Sequence, residues 1–168
     1  MKIKIIMALI IFISSPTFSN YRLFLDKENI VGNRIIGKWI INESLSQNLV
    51  GKDIGRVNGF IFEKELKVVK KIPVKYYNYL KDRNIYMAGI MTLSLTKGNR
   101  KLVRFPFILL GKSGCPYIIF FKKRHGNPMG DSESFYVMLA QGKVKGNDLL
   151  FVGGDFANEP FIAFERDQ

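Results

Sequence analysis

From Ile35 to its end the chain breaks into short apolar and aromatic runs, each stopped by residues that turn a backbone, and this rhythm restricts the fold more than any other feature. Runs of this length are too short for stable helices, and where apolar and polar residues alternate they describe strands with one wet face. Phe60, Phe62, Leu66 and Val68 alternate with Glu63, Glu65 and Lys67, which predicts one such strand. The other runs are Ile35 to Ile41, Ile85 to Thr96, Leu102 to Leu110, Pro116 to Lys122, Phe135 to Gln141, Leu149 to Val152 and Phe161 to Phe164, eight in all. Between them stand Lys97-Gly98-Asn99, Gly111-Lys112-Ser113-Gly114, Gly126-Asn127-Pro128 and Lys145-Gly146-Asn147-Asp148. Gly and Asn in these turns can take the positive φ of tight hairpins.

Consecutive strands joined by short turns form an antiparallel meander. Eight strands are enough to close a barrel just wide enough for packed side chains or one small ligand, and closure removes the exposed edges. The fold expected is therefore all-β, an eight-stranded antiparallel up-and-down barrel. Asn42 to Gly59 lacks alternation and reads as a short helix or lid after the first strand. Val74 to Leu80, with Tyr76, Tyr77 and Tyr79, reads as helix, strand extension or covering loop.

The beginning of the chain has a different character. Lys2 and Lys4 precede the apolar run Ile5 to Ile13, which stops at Ser14-Ser15-Pro16, and small residues stand at Thr17 and Ser19. This is the pattern of a secretory signal peptide over 1–19. The run is well short of the roughly 20 apolar residues that a spanning helix needs, so no transmembrane segment is expected in the mature protein. Residues 20–168 then form one domain of 149 residues, exported to a periplasm or to the medium. A chain of that length buries a core without metal or disulfide staples.

The formal charge of +12 falls to about +10 once Lys2 and Lys4 are removed. Outside the cytoplasm such a charge is drawn to lipid headgroups, acidic envelope polymers or an acidic protein, and the leader argues against nucleic acid. The densest basic groups are Lys64, Lys67, Lys70, Lys71 and Lys75, then Lys122-Lys123-Arg124. Runs of this size commonly serve as solvated edges that discourage strand-to-strand association. Cys115 is the only cysteine, which excludes an intrachain disulfide. It reads as a small buried hydrophobe, with a disulfide-linked dimer as the alternative.

Gly37-Lys38-Trp39 lies in the first predicted strand and holds the only tryptophan. This motif resembles the Gly-x-Trp signature of lipocalins and lipocalin-like proteins. The resemblance implies that Gly37 lets the backbone pass close at the narrow end of the barrel, that Trp39 plugs the core there, and that Arg166 lies over the indole ring. It extends over residues 34–166 and carries architecture rather than ligand identity. The long helix that larger lipocalins place before their final strand has no counterpart here, and their usual disulfide is impossible. Taken without the resemblance, Trp39 is a large core residue of some β-barrel or sandwich.

Little in the sequence looks like catalysis. His125 is the only histidine, so no His-based metal site can be assembled, and Cys115 with His125 is the sole nucleophile and base combination. The paired carboxylates Asp131 with Glu133 and Asp155 with Glu159 fall near predicted turns, where solvation accounts for them. No phosphate-cradling glycine motif or calcium loop is present. Asn42-Glu43-Ser44 is a formal glycosylation acceptor. The expected protein is not an enzyme and carries no cofactor or metal.

The chain is rich in aromatics, with 14 Phe and 7 Tyr. Val103, Phe105, Phe107 and Leu109 share one strand face, and Phe135, Val137 and Leu139 share another, which makes these the expected inward walls of a ligand cavity or of a filled core. A hollow barrel would bind a small, mostly apolar molecule, with or without an anionic group. A filled one would present a basic face to an acidic protein, as an inhibitor or immunity-type partner does. The leader reading predicts that the protein recovered from outside the cytoplasm begins at Asn20, which intact-mass measurement checks directly; retention of residues 1–19 would remove it.

Overall fold

The computed structural model describes residues 21–24, 30–50, 57–72, 84–95, 101–112, 115–124, 127–142, 148–153 and 161–167. The Val74–Leu80 segment, His125, Asp155 and Glu159 lie outside these residues, as does the side chain of Cys115. Nine strands are formed: β1 (Tyr21–Phe24), β2 (Gly37–Ile41), β3 (Val57–Lys64), β4 (Asn84–Leu95), β5 (Lys101–Lys112), β6 (Cys115–Arg124), β7 (Asn127–Gly142), β8 (Leu149–Gly153) and β9 (Ile162–Arg166). Helix α1 (Ile30–Arg34) precedes β2, α2 (Glu43–Val50) follows it, and a 3₁₀ helix, η1 (Leu66–Lys71), follows β3.

Strands β2 to β9 close into an eight-stranded antiparallel barrel with a short helix after its first strand, as the run pattern predicts. Each strand from β2 to β8 pairs with the next, β9 pairs with both β8 and β2, and every pairing is antiparallel. Only Ser113 and Gly114 separate β5 from β6, with Lys112 opposite Cys115. The ninth strand, β1, had no counterpart in the sequence reading. It runs antiparallel to the last residues of β7, Tyr21 opposite Gly142 and Phe24 opposite Leu139, beyond the point where β6 leaves that edge.

Two expected boundaries are corrected. Leu66 and Val68 do not continue β3, because the chain leaves the sheet after Lys64 and winds into η1. The alternation that seemed to run through them is a coincidence of two periods: in a 3₁₀ turn of three residues, Val68 is buried while Leu66 and Lys67 stay exposed. At the other end, β9 runs on to include Arg166, directly opposite Trp39.

Alternation divides the apolar residues between one inner and two outer clusters. Inside lie Ile35, Trp39, Phe60, Phe62, Met87, Met91, Phe107, Leu109, Ile118, Val137, Leu139, Leu150 and Phe164. Outside β4 to β6, Ala88, Ile108, Leu110, Tyr117, Ile119 and Phe121 form a second layer with Val68 and Ile72, delivered by η1. Outside β7 to β9, Met138, Ala140, Leu149, Phe151 and Ala163 pack with Phe161, and Leu45 of α2 joins them.

Helix α2 is fastened to the barrel by polar groups that replace a missing strand. Pairing of β2 with β9 stops at Ile41 opposite Phe164. The next residue of β9, Ala163, would have unpaired backbone groups; instead its carbonyl accepts from Asn42 N–H at 2.9 Å and from the buried Ser46 hydroxyl at 3.0 Å, and its N–H donates to Ser46 Oγ at 3.0 Å. Asn42 Oδ1 also accepts from Leu45 N–H at 2.9 Å, capping the helix, while its Nδ2 donates to Glu165 Oε2 at 3.0 Å. This side chain is committed at both ends, which leaves no room for a glycan.

One end of the barrel is sealed by Trp39. The indole is fully buried, and its Nε1–H donates to Ile35 O at 2.8 Å. The Arg166 guanidinium lies over the ring, 4.5 Å from its centroid. Its Nη1 donates to Ile36 O at 2.8 Å and its Nη2 to Arg34 O, the last residue of α1, while Nε faces Asp148 at 3.6 Å. Gly37 holds φ at 123°, and a Cβ there would stand 2.8 Å from Arg166 Nη1, so only glycine serves. Trp39→Ala is expected to cost about 3 to 5 kcal/mol through the cavity it leaves, and Arg166→Met about 2 to 4 kcal/mol through its charged hydrogen bonds and ring contact. Urea unfolding followed by far-UV circular dichroism measures both; wild-type stability for Arg166→Lys would show that the planar fork is not used.

Candidate functional site

Because side chains alternate across a strand, the inward set is known once one residue is placed, but depth along the barrel axis depends on register. At the Trp39 end the interior is solid. Phe107 and Leu109 of β5 and Val137 and Leu139 of β7 are fully buried there, against Ile118 and Leu150. At the opposite end the same two strands continue with Val103, Phe105 and Phe135, which point inward but are only half-buried. They line a cavity of about 450 Å³ that opens to solvent.

The cavity is built from seven strands of the barrel. Val57 and Phe60 come from β3, Leu93 and Leu95 from β4, Val103 and Phe105 from β5, Phe120 and Lys122 from β6, Glu133 and Phe135 from β7, Val152 and Gly153 from β8, and Ile162 from β9. Its aromatic lining is continuous. Phe120 meets Phe105 at a centroid distance of 5.3 Å and Phe135 at 5.7 Å, and Phe135 meets Phe60 at 5.9 Å. Phe60 stacks on Phe62 at 5.5 Å and meets Phe164 edge-on at 4.9 Å, which carries the ring network down into the packed half. Edge-on and tilted pairs of this kind hold their rings in place.

Two charged side chains stand at the mouth. Lys122 and Glu133 form an ion pair across β6 and β7, and Lys122 Nζ lies 5.7 Å from the centroid of the Phe120 ring. Both are well exposed, so the pair contributes at most about 1 kcal/mol. Its effect is chemical: it is the only charge among the described lining residues. Asp131 and Glu133, expected near a turn, stand two residues apart within β7 and so share one face; Asp131 is opposite Lys122. No group of three or more His, Cys, Asp or Glu side chains able to hold a metal occurs among the described residues.

Of the seven residues expected to line a cavity, the structure brings Val103, Phe105 and Phe135 to it and places Phe107, Leu109, Val137 and Leu139 beneath it. Sequence reasoning missed Phe60, Phe120, Lys122 and Glu133. Phe60 was visible as a member of an alternating run, whereas Phe120 lies in the nearly continuous apolar run Pro116 to Lys122, which does not mark an inward face. Lys122 and Glu133 look in sequence like ordinary solvated charges.

A second hollow of about 480 Å³ lies on the outer surface. There Ile40, Gly59, Ser94 and Leu102 form one row across β2 to β5, two larger residues flanking two small ones. A Cβ on Gly59 would stand 2.3 Å from Trp39 O, so the floor of this row cannot be raised. Comparison of the chain with family models, with curated proteins and with solved structures finds no match.

The depth gradient predicts unequal costs for equal truncations. Phe107→Ala, in the solid half, is expected to lose about 3 to 5 kcal/mol, whereas Phe135→Ala, on the cavity wall, should lose about half as much because its ring already borders open space. Similar losses in denaturant unfolding would mean that the mouth half is as tightly filled as the base.

Proposed function

We propose that this protein is an exported, lipocalin-like barrel that binds a small, mostly apolar molecule inside its open half. The observation that carries the reading is the cavity itself. About 450 Å³ bounded by Phe60, Phe105, Phe120, Phe135 and aliphatic side chains falls in the range of small-molecule sites, which are concave, largely apolar and equipped with few polar groups. Lys122 at the mouth fits a ligand that carries an anionic group, and the strongly basic chain would draw such a ligand in.

The lipocalin-like assignment rests on three supports: a closed eight-stranded antiparallel barrel, Gly37-Lys38-Trp39 at its sealed end, and Arg166 stacked on Trp39. Export rests on residues 1–19, whose charge and apolar pattern match a leader.

The test is native mass spectrometry of the protein purified from its producing cells, followed by denaturation and identification of what is released. A stoichiometric small molecule, lost in Val103→Trp because the indole occupies its space while the fold is kept, is the expected result. An empty cavity in wild type that also takes up no apolar fluorophore would remove the reading.

A further inference from the structure

The cavity leaves one surface of the molecule unexplained. The end of β3 and helix η1 carry Lys64, Lys67, Lys70 and Lys71, all exposed, with Glu65 as the only acid in that stretch. In a 3₁₀ helix residues three apart eclipse, so Lys67 and Lys70 stack along one ridge of a helix about 12 Å long. Among the described residues none of these four lysines has a carboxylate within ion-pair distance, and Glu63, which precedes Lys64, is taken by Arg104 at 3.2 Å. Four lysines against one acid leave a net positive surface that gains from an external anion.

Leu66 distinguishes between anions. It stands 65% exposed, between Lys64 and Lys67 in sequence, in the first turn of a helix whose later residues, Val68 and Ile72, are buried against the barrel. A leucine at the crest of a lysine cluster gains nothing from an acidic polymer or a polar protein surface. It gains where charged headgroups overlie hydrocarbon, because the leucine enters the apolar layer while the lysines extend to the phosphates. We propose that η1 is a docking surface for anionic lipid bilayers, with Leu66 inserting and Lys64, Lys67, Lys70 and Lys71 holding the headgroups. The surface is independent of the cavity reading: η1 packs on the outer face of the barrel, and none of its residues lines the cavity.

The test is co-sedimentation of the protein, in the form recovered from its producing cells, with vesicles of phosphatidylglycerol and phosphatidylcholine in equal parts and with vesicles of phosphatidylcholine alone. Binding to the anionic vesicles only, weakened by added salt, is expected. Leu66→Ser should weaken it by roughly tenfold, and the double variant Lys67→Gln with Lys70→Gln by at least as much. Leu102 is 64% exposed at the cavity-mouth end of β5 and outside the lysine cluster, so Leu102→Ser should leave binding unchanged. Both leucines are exposed, and circular dichroism verifies that each variant folds. The proposal is overturned if the protein ignores the anionic vesicles, if Leu66→Ser binds like wild type, or if Leu102→Ser is as impaired as Leu66→Ser. It is likewise overturned if soluble polyglutamate binds as tightly as the vesicles, which would assign the lysines to an acidic polymer.

Discussion

The contact between the Arg166 guanidinium and the Trp39 ring is the joint on which this barrel closes. A meander of strands is still an open sheet until its first and last members meet, and here they meet at Trp39 opposite Arg166. The same guanidinium ties down the carbonyls of Arg34 and Ile36, so the turn that leads from α1 into β2 is fixed by the strand that ends the sheet. Placing a cation inside one end of a barrel is costly unless its donors are satisfied. Two backbone carbonyls, Asp148 and the face of an indole meet that requirement, and they do so only when β2, β9 and α1 are all in place. The seal is therefore cooperative.

The shape of the interior follows from sealing one end and leaving the other open. With Trp39, Phe62, Phe107 and Leu139 filling the base, stability does not depend on side chains meeting at the mouth. The mouth is free to remain a cavity, kept in shape by Phe rings that brace one another rather than by a filled centre. The outer layers relieve the base further. Helix α2 and η1 cover faces that a simpler barrel would turn to water, so β4 to β9 are packed on both sides over much of their length. This also explains why several strands read as nearly continuous apolar runs, Leu102 to Leu110 and Pro116 to Lys122 among them, where a one-sided sheet would alternate.

The strand positions and the inward faces of β5 and β7 were legible in the sequence, because side-chain direction repeats every two residues and nothing else in the fold alters it. Depth was not legible. Val103 and Leu109 have the same facing, yet one borders the cavity and the other is buried at the base, a difference set by the stagger of neighbouring strands. The first half of β7 was hidden for another reason: Gly126, Asn127 and Pro128 read as a turn, and it is pairing with β6, down to Arg124 opposite Asn127, that draws Asn127 and Pro128 into a strand. Likewise β1 is too short to announce itself, and η1 mimicked alternation over Leu66 to Val68. The resemblance carried by Gly37, Trp39 and Arg166 placed the arginine correctly over the ring, while the composition of the mouth, Lys122 and Glu133 above all, depends on contacts between strands that no local pattern encodes.

The closing pair also has a temporal meaning. Arg166 bonds to a carbonyl 130 residues earlier, and Ser46 to one 117 residues later. Such contacts demand nearly the whole chain before they return any stability, and loop-closure entropy must be met first, which makes topologies of this kind slow to complete. Until β9 exists, β2 has one vacant edge and Trp39 has no lid. A chain emerging from its N-terminus thus remains an unfinished sheet until β9 has been made, and the barrel closes as a single event rather than by accretion.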